Sequence, residues 1–276
     1  MSELPERELP ERELLGLWDR VALVTGGSRS LGRGCALALA RAGCHVAIVD
    51  VLDAGDTVTE IEAIGRRAVA ILADVRDPEG ADAMTFAVID ELGPFHVAVN
   101  TVGGTHGPTP FLDLTRDEWE SVVALNASAT LWSCQAEARR MIDGGIDGSI
   151  VNLGSLSGLE AAPNVVDYGA ANAAVIHLTR SIALELAPHG IRVNCIVPGA
   201  HKTESVVAAA AENPDIARWV ERNSAATPLG RLGDPSETGG VAVFLASRLS
   251  SYVTGQEIVV DGGMQHTTAR PPVGQG

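Results

Sequence analysis

The 276-residue chain is 46% hydrophobic and only 4% aromatic, so its apolar content rests on Ala, Val, Leu and Ile, enough for one sizeable core. Its 35 acidic and 20 basic residues give a net charge of −15 without a Lys/Arg cluster, which argues against a nucleic-acid partner. The charged start MSELPERELPERELL has no apolar leader core, and no stretch approaches a membrane span, so a soluble, cytoplasmic protein is expected.

In chain order, residues 3–12 read ELPER twice, too short and polar a unit to bury anything, and residues 1–15 are expected to form a flexible extension. Short β-branched runs then alternate with longer helical patterns. The strands are expected at 21–26, 45–50, 68–74, 96–100, 148–153, 191–197 and 257–263. Helices are expected at 31–43, 55–66, 80–92, 117–141, 167–188 and 234–247, several opened by Asp, Thr or Ser and closed by Gly. Nearly continuous apolar strands are buried on both faces, as in a parallel sheet, and this alternation implies right-handed βαβ units. The fold class is therefore α/β, a single doubly wound Rossmann-type domain over 16–263 with a seven-stranded, mostly parallel sheet and helices on both faces. The segments 104–112 and 199–233 break the rhythm as linkers, and long loops after strand ends are where such sheets hold ligands. Residues 264–276 form a tail.

The first strand runs into TGGSRSLGRG, with glycines at 26, 27, 32 and 34. Glycine there permits a tight turn and close backbone approach, and the free N–H groups of the following helix start can hold a pyrophosphate. The second strand ends in Asp50, whose carboxylate can accept both ribose hydroxyls and repels a 2′-phosphate, favouring NAD over NADP. Arg29 in the glycine loop is a counter-signal whose bland reading is a solvated surface Arg. Asp74 can meet the adenine edge or equally cap a helix. Cys35, Cys44, Cys134 and Cys195 lack any CxxC pair or metal-ligand spacing and read as buried thiols, and no metal site is expected.

With these residues placed, the chain resembles the short-chain dehydrogenase/reductase family from about residue 16 to 263. TGGSRSLGRG resembles the family's TGxxxGxG loop, VNTVGG at 99–104 a degraded form of the segment after strand four, and LNAS at 125–128 the helix Asn. IVNLGSLSG at 150–158 resembles the Ser strand, Ser155 and Tyr168 have the family's 13-residue spacing, and RVNCIVPGAHKT at 192–203 resembles the segment flanking nicotinamide. The resemblance implies Tyr168 as proton-transferring acid or base, Ser155 as the hydroxyl orienting the substrate oxygen, and Asn126 as holder of a relay water. It places Gly26, Ser28, Arg29, Leu31, Gly32, Asp50, Asp74, Val75, Asn100, Tyr168, Pro198, Gly199 and Thr203 along NAD. It further implies a homo-oligomer, dimer or tetramer, associating through the helices at 117–141 and 167–188.

The chain departs from the family at Asn100-Thr101-Val102-Gly103, where the family has Asn-Asn-Ala-Gly, and at Asn172, where it has Lys. The family's Lys stabilises the tyrosinate and bonds the nicotinamide ribose, and Asn172 can inherit only the second role. A tyrosine in water titrates near ~10. Losing a unit charge at about 4–6 Å, at an effective dielectric of ~20, forfeits on the order of 3–4 kcal/mol of phenolate stabilisation, roughly 100- to 1000-fold in rate if nothing replaces it. His201 and Lys202 in the PGAHKT loop are the candidate substitutes. His177 should project elsewhere along its helix, and His106 lies in a loop near the substrate side. The leading reading is an NAD-dependent oxidoreductase interconverting a secondary alcohol and a ketone, with Asn126, Ser155, Tyr168 and Asn172 as an altered catalytic tetrad. The alternatives are a non-redox isomerase, lyase or cyclase on the same scaffold, and a catalytically weak subunit of a hetero-oligomer. Segments 104–112 and 200–226 should shape the pocket, and their composition suits an apolar or neutral polar substrate.

Overall fold

Val, Ile and Ala dominate seven short strands, and their side chains alternate between two cores on opposite faces of one sheet. The computed structural model describes residues 14–267. The elements run β1 (Val21–Thr25), α1 (Ser30–Arg41), β2 (His45–Asp50), α2 (Gly55–Ala63), β3 (Ala68–Leu72), α3 (Pro78–Leu92), β4 (Val97–Asn100), α4 (Arg116–Val123), α5 (Ala129–Asp143), β5 (Ser149–Leu153), α6 (Val166–Leu186), β6 (Arg192–Pro198), α7 (Glu204–Glu212), α8 (Pro214–Ala226), α9 (Pro235–Ala246) and β7 (Glu257–Val260). The strand order is β3-β2-β1-β4-β5-β6-β7, and every pairing is parallel.

Ala22, Val24, Ile48 and Val99 face α1, α2 and α9, whereas Leu23, Val49, Ala98 and Ile150 face α3, α5 and α6. Helices α1 and α9 approach so closely that a Cβ on Gly34 would collide with Pro235 O, and one on Gly239 would lie 2.5 Å from Gly34 O. That contact clamps the helix opened by the glycine loop. The crossover direction reverses between β1 and β4, so the crevice at the strands' carboxyl ends opens beside both.

Two expectations differ from the structure. The single helix expected at 117–141 is α4 and α5 joined by a π-helical turn over Ala124–Ser128. The expected linker 199–233 contains α7, capped by Thr203, and α8, started by Asn213 and Pro214. The Ala run at 208–211 favours helix, and the polar caps on either side bound it. The expected extension at 1–15 and tail at 264–276 lie largely outside the described residues. All four cysteines are buried free thiols, and burial pushes Cys35, Cys44 and Cys195 up to about 12. Among the described residues, no helix is long and apolar enough to cross a membrane.

Candidate functional site

The glycine loop folds back over the end of β4. A Cβ on Gly32 would collide with Gly26 O and with Thr101 Oγ1, so no other residue fits there. Thr101 Oγ1 in turn donates to Thr25 O at 2.6 Å, which lets Thr101 fasten the loop without the family's second Asn. Asp50 ties the loop to β2: its Oδ2 accepts from Ser28 N at 3.1 Å and Ser28 Oγ at 2.6 Å, and its Oδ1 from Leu52 N at 3.1 Å. Arg29 is exposed, and Leu31 is half-buried.

Sequence reading missed one departure in this loop. The middle glycine of the TGxxxGxG pattern is Ser30 here, and it holds a left-handed φ of 54°. A non-glycine residue in that region costs about 1–2 kcal/mol. The amide of Ser30 donates to Glu204 Oε2 at 3.1 Å.

Asp74 follows β3 and is forked by Arg76, whose Nε lies 3.0 and 2.9 Å from its two oxygens. Those hydrogen bonds hold its carboxyl below the usual carboxylate range. The cap of α3 is Asp77, which accepts from Gly80 N at 2.7 Å, so the capping alternative for Asp74 does not hold. Val75 is packed in the core.

Asn100, expected along the cofactor, turns its amide into a buried network beneath the crevice. Its Nδ2 donates to Glu137 Oε2 at 3.0 Å and Asn152 Oδ1 at 3.1 Å, and its Oδ1 accepts from Thr25 Oγ1 at 3.4 Å. Glu137 is fully buried, and desolvation pushes it up to about 8 against the opposing hydrogen bond from Asn100. Sequence reading missed this acid too. A Glu at a helix position otherwise filled by Ala and Cys neighbours was the available signal.

Glycine contacts pack the turn that follows Ser155 against the helix that carries Tyr168. Ser155 follows β5 and accepts from Ser157 N at 3.3 Å, starting a single 3-10 turn. A Cβ on Gly158 would lie 2.7 Å from Ala173 N, and one on Gly169 would lie 2.9 Å from Ser157 O. The Ser155 turn therefore lies flat on the first turns of α6, which carries Tyr168.

Asn126 sits in the π-helical turn, a distortion frequent at functional sites. Its amide donates to Gly104 O and Val122 O, both at 2.8 Å, its Oδ1 accepts from Gly104 N at 3.1 Å, and its own carbonyl accepts from Thr130 Oγ1 at 2.8 Å. These bonds anchor the root of the 104–112 loop. His106 of that loop has Nε2 2.8 Å from Asp167 Oδ2, while Asp167 Oδ1 accepts from Tyr168 N at 2.8 Å. Asp167 is buried, and Thr109 N donates to Asn164 O at 2.8 Å, so the loop is pinned to the start of the Tyr168 helix.

Asn172 lies one turn beyond Tyr168 on α6. Its Nδ2 donates to Tyr168 O at 2.9 Å, and the residue is only 2% exposed. A short Asn bonds its own helix one turn back, where a Lys stem would extend past it. His201, one expected substitute cation, is also buried and engaged: Nδ1 lies 3.0 Å from Gly199 O and Nε2 3.0 Å from Thr238 Oγ1. It ties the segment after β6 to α9. Lys202, the only lysine in the chain, is exposed. Pro198 ends β6, Gly199 N donates to Val260 O, and Thr203 accepts from Val206 N at 3.3 Å as the cap of α7. Among the described residues, no cluster of His, Cys, Asp or Glu could hold a metal ion.

Residues 26–265 match the family described as enoyl-(acyl carrier protein) reductase. The 2-dehydro-3-deoxy-D-gluconate 5-dehydrogenase of Escherichia coli K12 is 35% identical, covering 88% of this chain and 94% of its own. The cyclohexanol dehydrogenase of Rhodococcus sp. TK6 is 38% identical, covering 92% and 98%. A solved Agrobacterium tumefaciens structure with bound NADP, a candidate 2-deoxy-D-gluconate 3-dehydrogenase, superposes with a TM-score of 0.81 at 33% identity, over 92% of this chain and all of that one.

Proposed function

The chain belongs to the short-chain dehydrogenase/reductase family and is an oxidoreductase acting on alcohols, and from that premise we propose that it interconverts a secondary alcohol and a ketone with NAD. The observation that carries the reading is the packing of the Ser155 turn, at the carboxyl end of β5, onto the Tyr168 helix, beside a glycine loop that needs glycine at 26 and 32. The crevice suits a dinucleotide: Gly26 and Gly32 form the cradle, the start of α1 offers amides, and Asp50 stands where an adenosine ribose would be read. Asp50 favours NAD. The A. tumefaciens structure holds NADP, and exposed Arg29 is a feature of this loop that would suit its extra phosphate.

A bound nicotinamide supplies the hydride acceptor or donor. Tyr168 removes the proton from the substrate hydroxyl in oxidation and returns it in reduction, and the Ser155 hydroxyl donates to the substrate oxygen. Asn126 and His106 act on the substrate side by fixing the 104–112 loop. The relatives named above are dehydrogenases of a sugar acid and of cyclohexanol, so a neutral or singly charged polyol, sugar acid or ring alcohol is the substrate class.

The test is NADH-linked absorbance with a panel of such alcohols and ketones for the wild-type protein and Tyr168→Phe. Turnover should fall by at least ~100-fold in the variant while NADH binding persists. A variant that turns over at the wild-type rate would exclude Tyr168 as the proton-transfer group.

A further inference from the structure

Ser30 opens α1, and the amide it contributes to the helix start already has an acceptor. Glu204 Oε2 lies 3.1 Å from Ser30 N, and Glu204 Oε1 lies 3.3 Å from Arg33 Nη1. Arg33 also pairs with Glu60 of α2, so a chain of charges runs from α2 through α1 to the first residue of α7. A carboxylate from the segment after β6 is thereby seated on the helix end that the fold uses for dinucleotide phosphates. The side chain of Glu204 is 61% exposed, so it can swing into solvent without crossing a packed region. An N–H serves one acceptor well, and a carboxylate beside a diphosphate is repelled.

We propose that Glu204 is a determinant of cofactor affinity: it occupies the phosphate seat at Ser30 as an internal competitor, and dinucleotide binding expels it and releases α7 from the glycine loop. The proposal rests on the nicotinamide-binding reading above. Ser30 strengthens the competition, because its left-handed backbone holds the amide in a fixed direction that both acceptors must share. The pairing is local to the phosphates and does not touch Asp50, which is bonded to Ser28 and Leu52.

The experiment is fluorescence titration of the full chain with NADH, and with adenosine as a phosphate-free probe, for wild type, Glu204→Gln and Glu204→Ala, alongside melting of each protein without ligand. Both variants should bind NADH about two- to five-fold tighter, the range expected for an exposed ion pair, with adenosine binding unchanged and a slightly lower melting temperature without ligand. Equal or weaker NADH binding by the variants, when the wild type binds, overturns the proposal alone. An equal gain for adenosine also overturns it, since the effect would then lie away from the phosphates. If none of the proteins binds NADH, the nicotinamide reading fails and this proposal fails with it.

Discussion

Replacing Glu137 by Gln should stabilise the protein at pH 8 and change little at pH 5. In the folded chain this carboxyl is fully buried and pushed from 4.5 up to about 8, whereas in the unfolded chain it titrates in the ordinary carboxylate range. Below ~4.5 both states hold the proton, and the stability associated with this group is fully present. Between ~4.5 and ~8 only the folded state holds it, so stability falls by about 1.4 kcal/mol per pH unit. Above ~8 both states are ionised and the loss is complete. From pH 5 to pH 8 the loss from this one group is on the order of 4 kcal/mol, a large fraction of a typical domain's stability.

The Glu137→Gln side chain keeps an amide oxygen for the Asn100 hydrogen bond and removes the titration. The Oε1 of Glu137 and the Oγ of Ser133 are buried without a hydrogen-bond partner among the described residues, so the protonated acid gains no second stabilising contact there. The assay is urea denaturation of wild type and Glu137→Gln from pH 5 to 8.5, read as the difference between the two. Other titrating groups are common to both proteins and cancel in that difference. Parallel pH profiles for the two proteins would refute the assignment of a neutral, buried acid at 137.

Asn172→Lys should raise turnover at neutral pH by up to about 100-fold, with the gain shrinking as pH rises, because the added charge at about 4–6 Å favours the tyrosinate; a pH–rate profile of both proteins checks it. Asp50→Asn should lose at least ~10-fold of its preference for NAD over NADP, measured as a ratio of kcat/KM, since the charge that repels a 2′-phosphate is removed while the Ser28 hydrogen bonds survive. His106→Ala leaves the Asp167 carboxylate buried beside Tyr168 without its imidazole partner and should lower stability by about 1–3 kcal/mol and raise KM more than it lowers kcat.

Periodicity made the sheet legible. Runs such as VALVT and HVAIVD are apolar at nearly every position because both faces are covered, and that pattern together with the intervening helices leaves few topologies. The stretch that became α7 and α8 was not read as helix, and both elements lie on the surface and bury none of their residues fully. The 3.6-residue signal is present in α8, where Ile216, Trp219 and Val220 recur at i, i+3 and i+4 behind the Asn213 cap, but no fully buried stripe accompanies it. For the candidate site the sequence offers positions and not directions. The family resemblance proposes Ser155, Tyr168 and the glycines, yet the sequence does not say that Asn126 bonds Gly104 and Val122, or that Asn100 points into a network with Glu137.

Asn172 and Ser30 show what that difference means for function. Each replaces a residue the family pattern carries on the cofactor side; the Asn172 side chain donates to Tyr168 O, and the backbone amide of Ser30 donates to Glu204. The first change removes a cation that would favour the tyrosinate, and Glu204, held by a backbone amide and by Arg33, sets an anion where the cofactor's phosphates would sit. Both therefore push in one direction, weakening the hold on an anionic dinucleotide. A dehydrogenase built this way would bind its nicotinamide loosely and exchange it quickly, and Asn172→Lys combined with Glu204→Gln should tighten NADH binding by roughly the product of the two single gains, since the sites share no contact.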